Sequence, residues 1–346
     1  PAPRGEPQVL VDGVRYDPRN GAAHVALSPS GTLLYAPAAA LSPERYVAWV
    51  DGKGQLSRLV DTPRLFGHLR LSPDGSRVAL RIGDLTASDL WSLDIASGTL
   101  SRLSTGLSPH RPAWRPDGRG ITVAAEQDGR WRLLTLPVGG EGRPRVLHEG
   151  AVRVYPNDWT PDGRTLVYQA RSPQGGWDLM SLAVDAAGAP AGPPRPLVAT
   201  PFQEGAAAVS PDGTRVAYES NELDGVFQVY VRAFPEGGEP IRASTGGGRR
   251  PRWGPEGRLY FWASGERQLQ VARVQQQGGR LAVEPAHPVI EAPLEAAVHQ
   301  RLVMSTIDGF EVHPSGRFLV LENAGDTTPP PLARPVVVLR RPRYSK

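Results

Sequence analysis

The sequence predicts an all-β protein: a seven-bladed β-propeller of four-stranded antiparallel blades, its ring closed by the N-terminal strand. Three observations predict it. A Pro-x-Gly phrase recurs seven times, at Pro29, Pro73, Pro116, Pro161, Pro211, Pro255 and Pro314, with spacings of 44, 43, 45, 50, 44 and 59 residues. A period in the low-to-mid forties is that of a propeller blade. Apolar residues keep register with the phrase, and the last repeat lacks a fourth strand that the N-terminus resembles. Six or eight blades remain alternatives if a terminal repeat is incomplete.

The second repeat shows the elements of a blade in order. Phe66 to Ser72 alternates into a first strand, and Pro73-Asp74-Gly75 turns it, Pro presetting φ and Gly allowing the left-handed position that follows. Val78 and Leu80, two apart, share one face of the second strand. Asp89 to Asp94 makes a third strand, Ala96-Ser97-Gly98 a turn, and Leu100 to Leu103 a fourth. Four short antiparallel strands make one blade.

The columns repeat along the chain. Two residues before each proline stand Leu27, Leu71, Trp114, Trp159, Val209, Trp253 and Val312. Three after each glycine stand Leu34, Val78, Ile121, Leu166, Val216, Tyr260 and Leu319. Burying a side chain of this size contributes ~1.5–3 kcal/mol, so these columns are the expected core.

At the ends, Arg317 to Leu321 reads as the second strand of the last blade and Pro335 to Arg340 as its third. Residues 1–14, with Gln8-Val9-Leu10-Val11, resemble the internal fourth strand around Arg145-Val146-Leu147 and are expected to complete that blade. Closing the ring in this way removes an exposed sheet edge. Residues 185–196, rich in Gly, Pro and Ala, and residues 291–308 read as surface excursions. The expected organisation is therefore a single propeller domain over 1–346, monomeric.

Composition narrows the function classes. Without cysteine there is no disulfide, thiol chemistry or Cys-based zinc site. No run approaches the ~18 apolar residues of a membrane span, so no insertion by this chain is expected. Pro1 in place of Met reads as a mature form or an excised piece. The net charge of +4 rests on 37 arginines against two lysines, Lys53 and Lys346. The arginines are scattered rather than gathered in the stripe that phosphate tracking needs, which argues against a nucleic-acid partner.

The phrase Trp-x-Pro-Asp-Gly-Arg, with an aliphatic strand after it, and the Asp-Leu-Trp of the repeat's third strand, as at Asp89-Leu90-Trp91, resemble the TolB-like, WD-type propeller repeat of bacteria. Val216 to Glu222, Val229 to Pro235, Ser244 to Gly248 and Pro251-Arg252-Trp253 resemble the propellers found C-terminal to bacterial Ser/Thr protein kinases. The resemblance covers nearly the whole chain. It implies a non-catalytic, extracytoplasmic part of a larger kinase-like receptor or Tol-like system, periplasmic or at the cell surface. The kinase motifs themselves are missing from the chain.

Catalytic signatures are not found. Gly-x-Ser-x-Gly is absent, and none of the seven histidines forms a His-Glu-x-x-His pair. Asp74, Asp117, Asp162 and Asp212 sit inside the repeat turns, where a carboxylate bonds local backbone. No catalytic residue, metal site or cofactor is therefore assigned. With the first strand innermost, the loops entering it converge at one mouth of the channel. That places His24, His68, His110, Arg111, Arg153, Tyr155, Glu204, Arg249, Arg250 and Asp308 around one opening. Arginine suits bidentate carboxylate contacts, so the rim is expected to bind a protein or a small acidic or carbohydrate-like ligand. The expectation is a non-enzymatic sensor or interaction domain. The alternative is a propeller hydrolase or lyase using the channel, or the accessory propeller of a serine peptidase.

Overall fold

The computed structural model describes residues 44–289 and 309–324, apart from short gaps at 85–86, 140–141, 174, 236, 264–267 and 278–279, together with the brief strands at 16–17, 22–23, 25–27, 33–35 and 336–337. The chain divides into two compact units, Glu44–Ala324 and a second made of Pro1–Pro43 with Gly325–Lys346.

The larger unit holds six antiparallel blades, five of them four-stranded and one, the fifth, carrying a fifth strand. The first comprises Phe66–Leu71, Arg77–Gly83, Ser88–Asp94 and Leu100–Arg102. The second comprises His110–Trp114, Gly120–Gln127, Arg130–Pro137 and Arg145–Gly150. The third comprises Val154–Trp159, Thr165–Arg171, Trp177–Ala183 and Arg195–Val198. The fourth comprises Glu204–Val209, Arg215–Leu223, Val226–Ala233 and Ile241–Arg242. The fifth begins with Arg249–Trp253, Arg258–Ala263 and Gln268–Gln277, and both Arg280–Val283 and His287–Pro288 pair with its third strand.

The sixth blade is built from both ends of the unit. Glu311–Val312 and Phe318–Asn323 supply its two inner strands, and Arg45–Val50 and Leu56–Arg58 its two outer ones. Phe318 to Asn323 pairs in unbroken register with Val50 to Arg45.

This corrects the expected seven blades to six. Arg45–Val50 and Leu56–Arg58 serve the sixth blade, so the phrase at Pro29 has no blade of its own. The strands around it, Val25–Leu27 and Leu33–Tyr35, instead form a three-stranded sheet with Val336–Val337 in the smaller unit. The stretch from Pro335 expected as a third strand of the last blade thus pairs elsewhere. The N-terminal strand expected within 1–14 lies outside the described residues, as do Pro29 itself and 291–308.

The Pro-x-Gly turns do what their chemistry dictates. In the first blade Asp74 accepts the Ser72 hydroxyl at 2.6 Å and the Ser76 N–H at 3.0 Å, while Gly75 takes φ 72°. Asp162 and Asp212 repeat this with Thr160 and Ser210.

Packing confirms a closed six-fold ring. Six apolar clusters form, one at each seam between neighbouring blades. Phe66, Leu71 and Leu80 of the first blade pack with Val47, Trp49, Leu319 and Leu321 of the sixth. Ala48, Val50, Phe318 and Val320 of the sixth pack with Tyr260, Leu269 and Val271 of the fifth. The tryptophans two residues before the prolines also stitch the seams with their indole N–H. Trp114 donates to the Arg70 carbonyl at 3.0 Å, Trp159 to Thr122 Oγ1 at 3.1 Å and Trp253 to the Ala208 carbonyl at 3.0 Å.

Candidate functional site

The innermost strands bring one residue per blade to the same level of the channel, each five positions before its proline: His68, Arg111, Pro156, Ala206, Arg250 and Gly309. All six line one cavity of about 40 Å³ at the waist of the ring. In four blades the pairing of first and second strands shifts register here. At those shifts His68, Arg111, Ala206 and Arg250 adopt φ of 51°, 48°, 49° and 57°. A bulge of this kind bends the strand and re-aims a side chain. Left-handed backbone is costly for residues other than glycine, and it persists where surrounding structure enforces it. In the third blade Pro156 fixes φ negative, and the shift there runs from Pro156 to Asp158 without a left-handed residue.

Two positions further along the same strands lies a belt of charge. Arg70 Nη2 meets Asp158 Oδ1 at 2.9 Å and its Nη1 meets Glu311 Oε1 at 3.3 Å. Arg252 Nε donates to the same Glu311 oxygen at 2.7 Å. The two guanidiniums respond differently. Burial opposes the charge of each, yet Glu311 and Asp158 together hold the Arg70 pKa above its ordinary value. Arg252 shares Glu311 and is repelled by Arg70, so burial prevails and its pKa is lowered.

Second-strand residues complete the waist. Gln169 Oε1 accepts Arg111 Nη1 at 2.6 Å and Asn157 Nδ2 at 3.3 Å. Glu219 accepts Arg249 Nη2 at 3.0 Å and the Arg250 N–H at 2.9 Å. Burial opposes ionisation of Glu219, but Arg249 and Arg250 outweigh it and hold its carboxyl below the usual range.

Above the waist, on the second and third blades, aromatic rings and guanidiniums interleave. His110 lies 5.8 Å from His68, 5.6 Å from Trp131 and 5.7 Å from Tyr155. Tyr155 stands edge-on to Trp131 and stacks on Trp177 at 5.2 Å. Arg111 covers Tyr155, Arg153 covers Trp131 and Arg171 covers Trp177, at 4.7, 5.0 and 5.4 Å from the ring centres. Burial lowers the His110 pKa to about 4, with Arg81, Arg153 and Arg111 adding to the effect. His68, fully enclosed, is pulled well below its ordinary value for the same reason. Both imidazoles are therefore neutral at pH 7, and His68 Nδ1 accepts the Arg111 N–H at 3.3 Å.

The ten rim residues expected from sequence thus separate. His68, Arg111 and Arg250 line the waist, and His110, Arg153 and Tyr155 belong to the aromatic cluster. Arg249 is held by Glu219. Glu204 is buried, its Oε1 accepting the Thr200 hydroxyl at 2.5 Å, and burial raises its pKa. His24 and Asp308 lie outside the described residues. Sequence reasoning missed Arg70, Asp158, Arg252 and Glu311, which stand three positions before their prolines, and Gln169 and Glu219, eight positions after theirs. Registering the polar columns as closely as the apolar ones would have found them. Trp131 and Trp177 carry no repeat-level signal.

No family model matches the chain, and no curated protein sequence matches it either. Solved structures do. A putative TolB from Agrobacterium tumefaciens is 18% identical with a TM-score of 0.59, the match covering 82% of this chain and 99% of that one. TolB from Acinetobacter baumannii is 13% identical with a TM-score of 0.50, covering 89% and 75% respectively. A puromycin hydrolase mutant complexed with PGG is 17% identical with a TM-score of 0.50; 86% of this chain matches 49% of that one. At these identities the shared property is the propeller fold.

Proposed function

We propose that the chain is a non-enzymatic recognition propeller that binds an acidic protein segment at the mouth of its channel. The observation that supports this reading is the aromatic–guanidinium cluster of His110, Trp131, Tyr155 and Trp177 with Arg111, Arg153 and Arg171. Rings and guanidiniums of this kind dominate binding hot spots, because they supply large rigid area with a polar edge. Val152, Phe202, Leu223 and Val226 leave 49%, 42%, 39% and 49% of their surface open. All four lie in loops or hairpins at the end of the blades where the first strands begin, as the cluster does. Exposed apolar side chains at the same end as a cationic aromatic centre fit a peptide carrying both carboxylates and hydrophobic side chains. The charge of the chain, +4, favours an acidic partner.

A display library of acidic and neutral peptides, selected on the immobilised protein, tests this. Selected acidic peptides lose affinity for Arg153→Ala and Tyr155→Ala and bind more weakly as salt rises. Equal retention on wild type and both variants would place recognition elsewhere.

The parent system is proposed to be a kinase-like receptor or a Tol-like assembly working outside the cytoplasm. This rests on the resemblance of the repeat phrases and of the stretch from Val216 to Trp253. Among the described residues no helix is long and apolar enough to cross a membrane. Sequencing the complete reading frame tests the proposal: a kinase domain followed by one apolar span upstream supports the receptor form.

A further inference from the structure

Among the described residues, the waist carries more guanidinium than carboxylate. Arg70, Arg249 and Arg252 each have a carboxylate partner within 3.3 Å. Arg111 is bonded to the neutral Gln169 and lies over Tyr155. Arg250 is 9% exposed, its Nε is buried with no hydrogen-bond partner, and its side chain forms no ion pair with any described residue. Glu219, which faces Arg250, takes the Arg250 backbone N–H and the Arg249 side chain instead. Among the described residues, the result is a buried cation left without an ion-pair partner, which folded proteins ordinarily avoid.

Several features mark this as a built site. Arg250 sits on left-handed backbone, φ 57°, and so does Arg111, φ 48°, and both side chains line the same cavity. The two guanidiniums repel each other; burial first and Arg111 next bring the Arg250 pKa down to about 9. The space, about 40 Å³, is that of roughly three water-sized occupants at ~10–15 Å³ each. A carboxylate group, with three heavy atoms, fits that volume. A guanidinium fork binds that shape by two parallel N–H···O bonds.

We propose that the waist of the channel is a receptor for a single carboxylate group, held by Arg250 and Arg111. The site goes beyond the recognition of a peptide at the mouth and does not depend on it, since a free carboxylate suffices to fill it. The carboxylate belongs either to a small molecule or to the tip of a chain threaded through the mouth; the chemistry at the waist is the same.

Thermal unfolding and calorimetry with sodium acetate against sodium chloride at equal ionic strength test the site. Acetate raises the melting temperature saturably above the chloride control, as a ligand of the native state does. Arg111→Gln and Arg250→Met each weaken acetate binding roughly tenfold or more. Arg250→Met melts at or above the wild type without acetate, because an apolar chain replaces an unpaired buried charge. That second readout separates loss of the site from loss of the fold. Acetyl-triglycine as free acid and as amide then distinguishes the sources. Binding of the free acid more tightly than acetate, with none of the amide, assigns the site to a chain terminus; binding no tighter than acetate assigns it to a small carboxylate. Identical responses to acetate and chloride, an unchanged acetate affinity in Arg250→Met, or a lower basal melting temperature of that variant would each overturn the proposal.

Discussion

Arg70 on the innermost strand of the first blade reaches Glu311 on the innermost strand of the sixth at 3.3 Å, although 241 residues separate them. The same carboxylate takes Arg252 from the fifth blade at 2.7 Å, so one side chain ties three blades around the closing seam. Arg70 and Glu311 are 9% and 6% exposed. Removing one partner of a buried pair costs more than the pair contributes, because the other charge remains in the interior. Glu311→Gln is therefore expected to destabilise the ring by about 3 kcal/mol in urea unfolding. Adding Arg252→Met to that variant recovers part of the loss. A loss below about 1 kcal/mol would show that Asp158 alone neutralises Arg70.

The tryptophan stitches allow packing and hydrogen bonding to be separated. Trp159 is 4% exposed and donates to Thr122, which is itself fully buried. Trp159→Phe keeps most of the ring area and removes the indole donor, while the threonine hydroxyl keeps its bond to Thr135 Oγ1 at 2.8 Å, for an expected cost of about 1 kcal/mol. Trp159→Ala also opens a cavity and is expected to cost about 3–5 kcal/mol. A Trp159→Phe midpoint equal to that of wild type in denaturant unfolding would contradict the bond's contribution, and equal midpoints for the two variants would contradict that of packing.

These seams explain what was legible in the sequence. Trp114, Trp159 and Trp253 recur at a fixed distance from a proline because every blade buries the same positions against its neighbour, so the period and the columns could be read directly. The blade number could not. Ser28-Pro29-Ser30-Gly31 carries the same turn chemistry as Ser72-Pro73-Asp74-Gly75, but a turn specifies only the two strands it joins. Which blade receives Arg45–Val50 is decided by the long-range pairing with Phe318–Asn323. Site residues followed the same divide. His68, Arg111 and Arg250 were reachable from the position of the first strand, whereas the pairing of Arg111 with Gln169 depends on neighbouring blades meeting.

His110 makes stability depend on pH in a defined sense. Its native pKa is lowered to about 4 by burial and by Arg81, Arg153 and Arg111. An unfolded histidine titrates near ~6.5, so below that pH the unfolded chain binds a proton that the native one refuses. The stabilisation is present in full above pH 6.5 and is lost as pH falls toward 4. A part-exposed ring softens the full shift, leaving an expected loss of about 1–2 kcal/mol between neutral and pH 4.5. His68, shifted in the same direction, adds to it. Unfolding curves of wild type and His110→Gln across that range should converge toward acid, with the variant the flatter of the two. Parallel curves would rule out His110 as the titrating group.

The six-blade closure makes its own prediction about truncation. The fragment 44–324 carries every described strand of the six blades, whereas 60–324 lacks Arg45–Val50 and Leu56–Arg58. Losing Val47, Ala48, Trp49 and Val50, none more than 5% exposed, uncovers Leu319 and Val320 and leaves Phe318–Asn323 as an unpaired edge. An open edge with apolar faces recruits other chains. The longer fragment is expected to unfold in one cooperative step and elute as a monomer. The shorter one is expected to lose cooperativity and to aggregate, and adding a peptide of residues 44–60 in trans should partly restore its solubility. If 60–324 matched 44–324 in midpoint and elution, the last blade would have to close by some other strand, and the pairing of Phe318 with Val50 would not be what holds the ring shut.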